Sequence, residues 1–189
     1  MSAPPQHLGL DQRIAQLRRR AAHDSQNTDV REVVRLRAND ACEYCLLPTT
    51  GKFEIEHIIP PRLWDDYVAG RIRSVRLRRR RRGPHHIDNY AWSCPFCNRA
   101  KSGRASHHVG RDAIRFFDPR SDRWPDHFVF PAATGHIAIL GVTLVGRVTA
   151  GPGGLDFNAG GAEVFLVTRH LVIRQGEYPP AWARSAYGV

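Results

Sequence analysis

Two stretches of the sequence carry most of the information about this protein: FEIEHIIP over Phe53–Pro60 and DNYAWSCPFCNRAK over Asp88–Lys101. The first is an apolar run interrupted by acidic residues and a histidine. Two prolines stop it, so we predict a short β-strand over residues 53–59. The second begins with an apolar segment that predicts a strand near Tyr90–Ser93. Pro95 then predicts a helix through about Ala105, because proline is well tolerated in a first helical turn.

Four cysteines occur as two Cys-x-x-Cys pairs, and they are Cys42, Cys45, Cys94 and Cys97. Each pair can hold one side of a tetrahedral ion, and four thiolates make a closed structural zinc site. The segment between the pairs contains both predicted strands, so a zinc ion would clamp the base of that unit. Two unrelated buried pairs, or a redox Cys-x-x-Cys, are the alternatives.

The composition favours a nucleic-acid partner. The net charge is +10, and such a surplus of base attracts phosphates. All but two of the 28 basic residues are arginine, which also fits a GC-rich genome, but that bias does not explain the surplus of base over acid. The sequence contains no run of about 18 apolar residues, so we expect no transmembrane helix. Its first residues lack the basic and then apolar order of a signal peptide. We therefore expect a cytoplasmic protein without membrane contact, whose cysteines bind metal.

The chain divides into three parts on these patterns. Residues 1–40 form an N-terminal tail and helices, residues 41–106 the core, and residues 107–189 a β-rich C-terminal extension. Helices are predicted over Asp11–Ala22 and over Asp29–Ala38, the second capped by residue 28 or 29. Residues 62–87 are predicted to be a long connection. In the C-terminal part, His136–Val148 and Val164–Ile173 have a β-like pattern.

The core also contains residues suited to phosphodiester hydrolysis. His57 can activate a water molecule, because imidazole titrates near neutral pH. Glu56 and Asn98 offer hard oxygen ligands, which suit Mg²⁺ or Mn²⁺. Neighbouring residues of a strand point to opposite faces, so Glu56 and His57 can share a site only at a bent strand end. Taken singly, such a histidine is more often structural, and such an asparagine more often lies on a solvated helix face.

These motifs together resemble the HNH endonucleases, small metal-dependent nucleases with a ββα-metal core. The resemblance covers about residues 41–105. It implies that Glu56 binds the catalytic cation, that His57 is the general base, and that Asn89 orients this base. It also implies that Asn98 is the second ligand and that Lys101 contacts phosphate. The acid is Glu where Asp is also common, and the connection from His57 to Asn89 is longer than usual.

The basic residues expected to contact the DNA backbone are Arg78, Arg79, Arg80, Arg81, Arg82 and Arg99. A run of like charges is either solvated or bound to an anion, so a solvated loop is the alternative. Contacts to phosphates would give affinity without sequence information.

The sequence thus predicts an α+β protein: a ββα-metal (HNH) core clamped by a four-cysteine zinc site, with N-terminal helices and a β-rich extension. We expect it to hydrolyse DNA, most simply double-stranded DNA, with Zn²⁺ as structural ion and Mg²⁺ or Mn²⁺ as catalytic ion. A zinc-stabilised nucleic-acid-binding module without catalysis is the alternative. An RNA-directed nuclease is a third possibility, although no RNA-binding motif favours it.

Overall fold

The computed structural model describes residues 9–20, 23–49, 51–73, 77, 82–131, 138–158, 169 and 171–187. In these residues, short helices alternate with two-stranded antiparallel sheets, so the predicted α+β class is confirmed. Within the described ranges, no helix combines the length and the apolar character needed to cross a bilayer.

The first helix is short and amphipathic. α1 spans Leu10–Arg18 and buries Ile14 and Leu17 against the rest of the protein. The prediction extended this helix to Ala22, but the described helix ends at Arg18, one residue after its last buried apolar side chain. Residues 21 and 22 lie outside the described residues.

The second helix, α2, spans Thr28–Arg37 and is capped by Asn27. The side-chain oxygen of Asn27 accepts hydrogen bonds from the backbone N–H groups of Asp29 (2.9 Å) and Val30 (3.3 Å). The predicted cap at residue 28 or 29 is therefore wrong by one or two positions. Asparagine caps well because its short amide reaches back to the unpaired N–H groups of the first turn.

The predicted pair of strands is present in the structure. β1 (Glu54–His57) pairs with β2 (Tyr90–Ser93) in antiparallel register, with His57 opposite Tyr90. All four residues of β2 are buried, whereas those of β1 are half-buried. β1 therefore lies nearer the surface, and its last residue is His57.

The connection after β1 contains a helix that the sequence analysis did not predict. α3 spans Pro61–Val68, with proline in its first turn. Trp64 is buried, and Leu63 and Tyr67 are half-buried against the core. The spacing of Trp64 and Tyr67 places them on one helix face. Packing of this face against the core stabilises the segment as a helix. The prediction of a continuous connection over residues 62–87 is wrong for this part.

A 3-10 turn over Ile87–Asn89 leads into β2, and α4 follows over Pro95–Lys101. The prediction extended α4 to Ala105. The helix ends at Lys101 because Ser102 and Gly103 both have positive φ angles, 44° and 69°, which no continuing right-handed helix contains.

The C-terminal part mixes strands and helices. Its elements are β3 (Ser106–Val109), β4 (Asp112–Arg115), α5 (Trp124–His127), β5 (Phe128–Val129), β6 (Leu140–Gly141), α6 (Leu144–Ala150) and α7 (Ala181–Tyr187). β3 pairs with β4 and β5 with β6, each pair antiparallel.

The prediction of β structure over residues 136–148 is wrong for α6. Thr143 caps this helix by accepting a hydrogen bond from the N–H group of Gly146 (3.0 Å). A Cβ on Gly146 would lie 2.1 Å from the carbonyl oxygen of His127, so glycine lets α6 pack directly on backbone. Of the second β-like segment, residues 164–168 and 170 lie outside the described residues, and residues 171–173 are helical.

Candidate functional site

The four cysteine thiols meet in one buried cluster. Their sulfur atoms all lie within 4.8 Å of one another, and each residue is at most 1% exposed. The Sγ atoms of Cys45 and Cys94 are 3.8 Å apart. Zinc–sulfur bonds of about 2.3 Å in a tetrahedron place the sulfurs about 3.8 Å apart. The cluster could therefore hold a metal ion such as zinc, and the alternative of two unrelated pairs is wrong.

Local hydrogen bonds shape both halves of the cluster. The N–H group of Cys42 donates to the carbonyl of Leu47, and that of Leu46 donates back to Cys42, both at 2.8 Å. On the other side, the thiol sulfur of Cys94 caps α4 by accepting from the N–H group of Cys97 (3.4 Å). Burial raises the pKa values of the Cys94 and Cys97 thiols. A bound cation would offset this by stabilising the thiolates.

Residues far along the chain cover the first cysteine pair. The Tyr178 hydroxyl donates to the carbonyl of Cys45, and the Trp124 indole N–H donates to the carbonyl of Tyr44, both at 2.9 Å. Glu43 forms an ion pair with Arg120. The C-terminal part is thus joined to the loop of the first cysteine pair by directed hydrogen bonds.

A second polar cluster lies where β1 faces α4. Glu54 and Glu56 are two residues apart in the strand, so both point to this face. Asn98 and Lys101 are three apart in α4 and meet them from the helix. Asn98 donates through its side-chain Nδ2 to a carboxylate oxygen of Glu54. Glu54 is a member that the sequence analysis missed, although the alternation in EIEH was a signal for it.

Lys101 lies inside this cluster and not at the surface. Its Nζ donates to Oε1 of Glu56 (2.6 Å) and to the carbonyl of His57 (2.8 Å), and the residue is 1% exposed. The expected position of Lys101 on phosphate is therefore not the position found here. Burial raises the pKa of Glu56, and the Lys101 ammonium offsets part of that rise.

His57 lies at the end of β1 and points away from Glu56. Its ring packs edge-on against Tyr90, with centroids 5.0 Å apart, and its Nε2 is 3.2 Å from Nδ1 of His85. Burial lowers the pKa of His57 to about 4, and the nearby His85 and Lys101 add to this effect. At neutral pH the imidazole is uncharged and can accept a proton. The sequence analysis did not single out His85 and therefore missed this contact.

Asn89 acts on the backbone around both histidines. Its Nδ2 donates to the carbonyls of Ile59 (2.8 Å) and Pro84 (2.9 Å), and its Oδ1 accepts from the N–H group of Ile59 (3.0 Å). The side chain is buried. Asn89 therefore ties the segment after His57 to the segment that ends at His85, which is one way to orient a base through its main chain.

The predicted nucleic-acid contacts are only partly covered by the described residues. Arg78, Arg79, Arg80 and Arg81 lie outside them. Arg82 and Arg99 are exposed, and Arg82 also donates to the carbonyl of Arg18 (3.0 Å).

The structure thus gathers the predicted residues into two neighbouring clusters. The cysteines form one, and Glu56, Asn98 and Lys101 form the other with Glu54. His57 ends the same strand on its opposite face, beside His85. Comparisons with protein-family models, with curated proteins and with solved structures give no match for this chain.

Proposed function

We propose that this protein is a metal-dependent endonuclease of the HNH type that hydrolyses DNA phosphodiester bonds. The observation that carries the proposal is a cluster of oxygen ligands between β1 and α4, with an uncharged histidine at the end of the same strand. Asn98 is hydrogen-bonded to Glu54 across β1 and α4, Glu56 lies two residues further along β1, and His57 ends that strand with a pKa lowered to about 4.

The donor set fits a hard divalent cation. Asn98 donates through Nδ2, so its Oδ1 keeps lone pairs, and Glu54 and Glu56 supply carboxylate oxygens. Such ligands suit Mg²⁺ or Mn²⁺ better than a soft metal. When bound, the cation would stabilise the charge on the phosphate and on the leaving oxygen.

His57 would take the proton from the attacking water. Burial keeps its imidazole uncharged, which a general base requires. Asn89 would fix the main chain beside it through three hydrogen bonds. In the structure Lys101 holds Glu56, so its proposed role is to hold the ligand, and phosphate contact would require it to move outward.

The cysteine cluster would hold a structural zinc. A closed set of four thiolates leaves no position for a substrate, and the ion would fix the start of α4, where Asn98 lies. Four free thiols committed to a metal fit a reducing, cytoplasmic environment. The charge of +10 and the exposed Arg82 and Arg99 favour DNA as the partner.

One observation favours a second function, a zinc-stabilised DNA-binding module without catalysis. The ammonium of Lys101 already neutralises Glu56 at 2.6 Å. If this ion pair never opens, no catalytic cation binds at Glu56, and only the basic surface remains functional.

The test is a supercoiled-plasmid assay with Mg²⁺ or Mn²⁺, using wild type, His57→Ala and the matched control His108→Ala, whose histidine is exposed on β3. Reactions without cation use dialysed protein instead of a chelator, because a chelator would also strip zinc. We expect nicking by wild type and His108→Ala only, and only with cation. Binding without cleavage under every cation would favour the module, and activity in His57→Ala would show that His57 is not the base.

A further inference from the structure

We propose that His85 is a positioning residue for His57, holding the imidazole in the tautomer that a general base needs. This inference rests on the proposed nuclease function. Nδ1 of His85 lies 3.2 Å from Nε2 of His57, and the rings meet edge to face with centroids 5.1 Å apart. The contact bridges β1 and the segment before the 3-10 turn, which are 28 residues apart in sequence.

The backbone of His85 is held in place from two sides. Its carbonyl accepts a hydrogen bond from the N–H group of His23 (2.6 Å), and the preceding carbonyl, of Pro84, accepts from Asn89 (2.9 Å). Both donors belong to buried residues. The His85 side chain is exposed, yet its main chain is fixed like that of a core residue. These hydrogen bonds therefore fix the position from which the His85 side chain reaches His57.

The chemistry assigns the direction of the hydrogen bond. A neutral imidazole carries one proton, so one ring nitrogen donates and the other keeps a lone pair. If His85 donated to Nε2 of His57, the remaining nitrogen of His57 would carry the proton and no lone pair would be left for water. The direction that leaves a base is therefore Nε2–H of His57 donating to Nδ1 of His85. The lone pair then lies on Nδ1 of His57.

The same contacts explain how Asn89 serves the base. Asn89 holds both Ile59, two residues after His57, and Pro84, one residue before His85. One buried amide thus sets the distance between the two histidines.

The experiment compares His85→Leu, His85→Asn and the control His108→Leu. Leucine removes the acceptor, whereas the side-chain oxygen of asparagine can lie near the former Nδ1 and accept in its place. Plasmid-cleavage kinetics give kcat and KM, and ¹⁵N–¹H correlation spectra of histidine-labelled protein report the tautomer of His57. Both are measured on full-length protein with unchanged zinc content.

We expect His85→Leu to lower kcat by about tenfold or more, part of the ~10²- to 10⁴-fold that a general base supplies, with KM within about twofold. The Nε2–H tautomer of His57 is lost in this variant, and His85→Asn restores both tautomer and rate. A leucine variant with wild-type kcat overturns the proposal, and so does a slow variant whose His57 tautomer is unchanged. If wild type cleaves nothing, the nuclease function fails, whereas the spectra still decide whether His85 holds His57.

Discussion

The two clusters flanking α4 are built from opposite chemistry. At the start of the helix, four cysteines at most 1% exposed converge with no ammonium or carboxylate among them. Along the helix, Asn98 and Lys101 meet Glu54 and Glu56, and the lysine supplies an internal positive charge. Soft, closed ligand sets hold structural metals, whereas hard oxygen ligands suit exchangeable cations. The difference teaches that one helix can support two kinds of ligand set: a closed set of thiols at its start and a charged set of oxygen and nitrogen groups along its side.

Disrupting the cysteine cluster is expected to have the largest effect. Cys97→Ser leaves three thiols, and zinc binding of structural sites contributes about 10–16 kcal/mol in isolated peptides at neutral pH. We expect loss of bound zinc, from about one per chain, and loss of the cooperative thermal transition. Elemental analysis and circular dichroism measure the two. The neighbouring variant Asn98→Ala should keep its zinc, and zinc-free wild type with an unchanged melting curve would contradict a structural role for the metal.

Opening the second cluster should be less severe and should depend on cation. Lys101→Met leaves the Glu56 carboxylate buried without its partner, and breaking such a pair costs about 3–5 kcal/mol. We expect a corresponding fall in the free energy of unfolding, with partial recovery in millimolar Mg²⁺ or Mn²⁺, because the cation can replace the ammonium.

Urea denaturation with and without divalent cation measures this effect, and wild type should respond much less to the cation. The double variant Lys101→Met/Glu56→Gln removes both charges and should lose the cation response. A Lys101→Met protein indifferent to Mg²⁺ and Mn²⁺ would indicate that Glu56 is not a cation ligand.

Asn89 offers a test of the hydrogen bonds that hold the main chain next to His57. Its side chain makes three hydrogen bonds, each worth about 1 kcal/mol net, and its removal would leave buried backbone groups unpaired. Asn89→Ala should therefore lower the free energy of unfolding by about 2–4 kcal/mol and slow cleavage as well. Asn89→Asp loses both donors and places a buried carboxylate oxygen against the carbonyls of Ile59 and Pro84, so it should be at least as destabilising in urea as Asn89→Ala. Equal stability of Asn89→Asp and wild type would argue against the two donated bonds.

His86, which contacts the end of α1, predicts a smaller, pH-dependent effect on the free energy of unfolding. The Nδ1 atom of His86 accepts a hydrogen bond from the N–H group of Asp88 (3.2 Å). Its Nε2 atom lies 3.2 Å from the carbonyl oxygen of Arg18. Burial lowers the pKa of His86 below its ordinary 6.5. As the pH falls, His86 is protonated at a higher pH in the unfolded chain than in the folded protein. The contribution of His86 to the free energy of unfolding is therefore fully present above pH 6.5 and is lost as the pH drops below that value.

We expect a loss of about 1 kcal/mol, the value of one hydrogen bond, between pH 7.5 and pH 5. Urea denaturation at the two pH values measures it. His86→Gln keeps a polar side chain that does not titrate, so comparing its pH dependence with that of wild type isolates this histidine from the carboxylates. Identical pH dependence in both proteins would exclude His86 as the titrating group.

The smallest expected effect is on DNA binding. Each arginine that contacts a phosphate contributes about 0.9 to the slope of log K against log salt concentration. Arg99→Ser, on the exposed face of α4, should flatten that slope by this amount without changing zinc content. Fluorescence anisotropy on a short duplex measures it, with Arg111→Ser, an exposed residue of the β3–β4 turn, as control. An unchanged slope for Arg99→Ser would remove this residue from the interface.

Sequence reasoning found the elements that short-range patterns encode. The Cys-x-x-Cys spacing located the cysteine cluster, and the apolar runs located β1 and β2. It missed α3 and α6, because their apolar residues pack as helices only against the completed core. The inward position of Lys101 and the contact of His57 with His85 also depend on which faces meet after folding. The nuclease chemistry stays a prediction until cleavage is measured.

The hydrogen bond from Tyr178 to the carbonyl of Cys45 has a consequence for biosynthesis. It joins residues 133 positions apart, so the cover over the first cysteine pair closes only after Tyr178 has been made. Contacts of such long range form late, because the entropy of closing the loop comes before the gain from packing. A ribosome-bound chain shorter than this would carry its cysteines partly uncovered. Synthesis of the segment around Tyr178 thus sets the earliest moment at which the first cysteine pair can be covered.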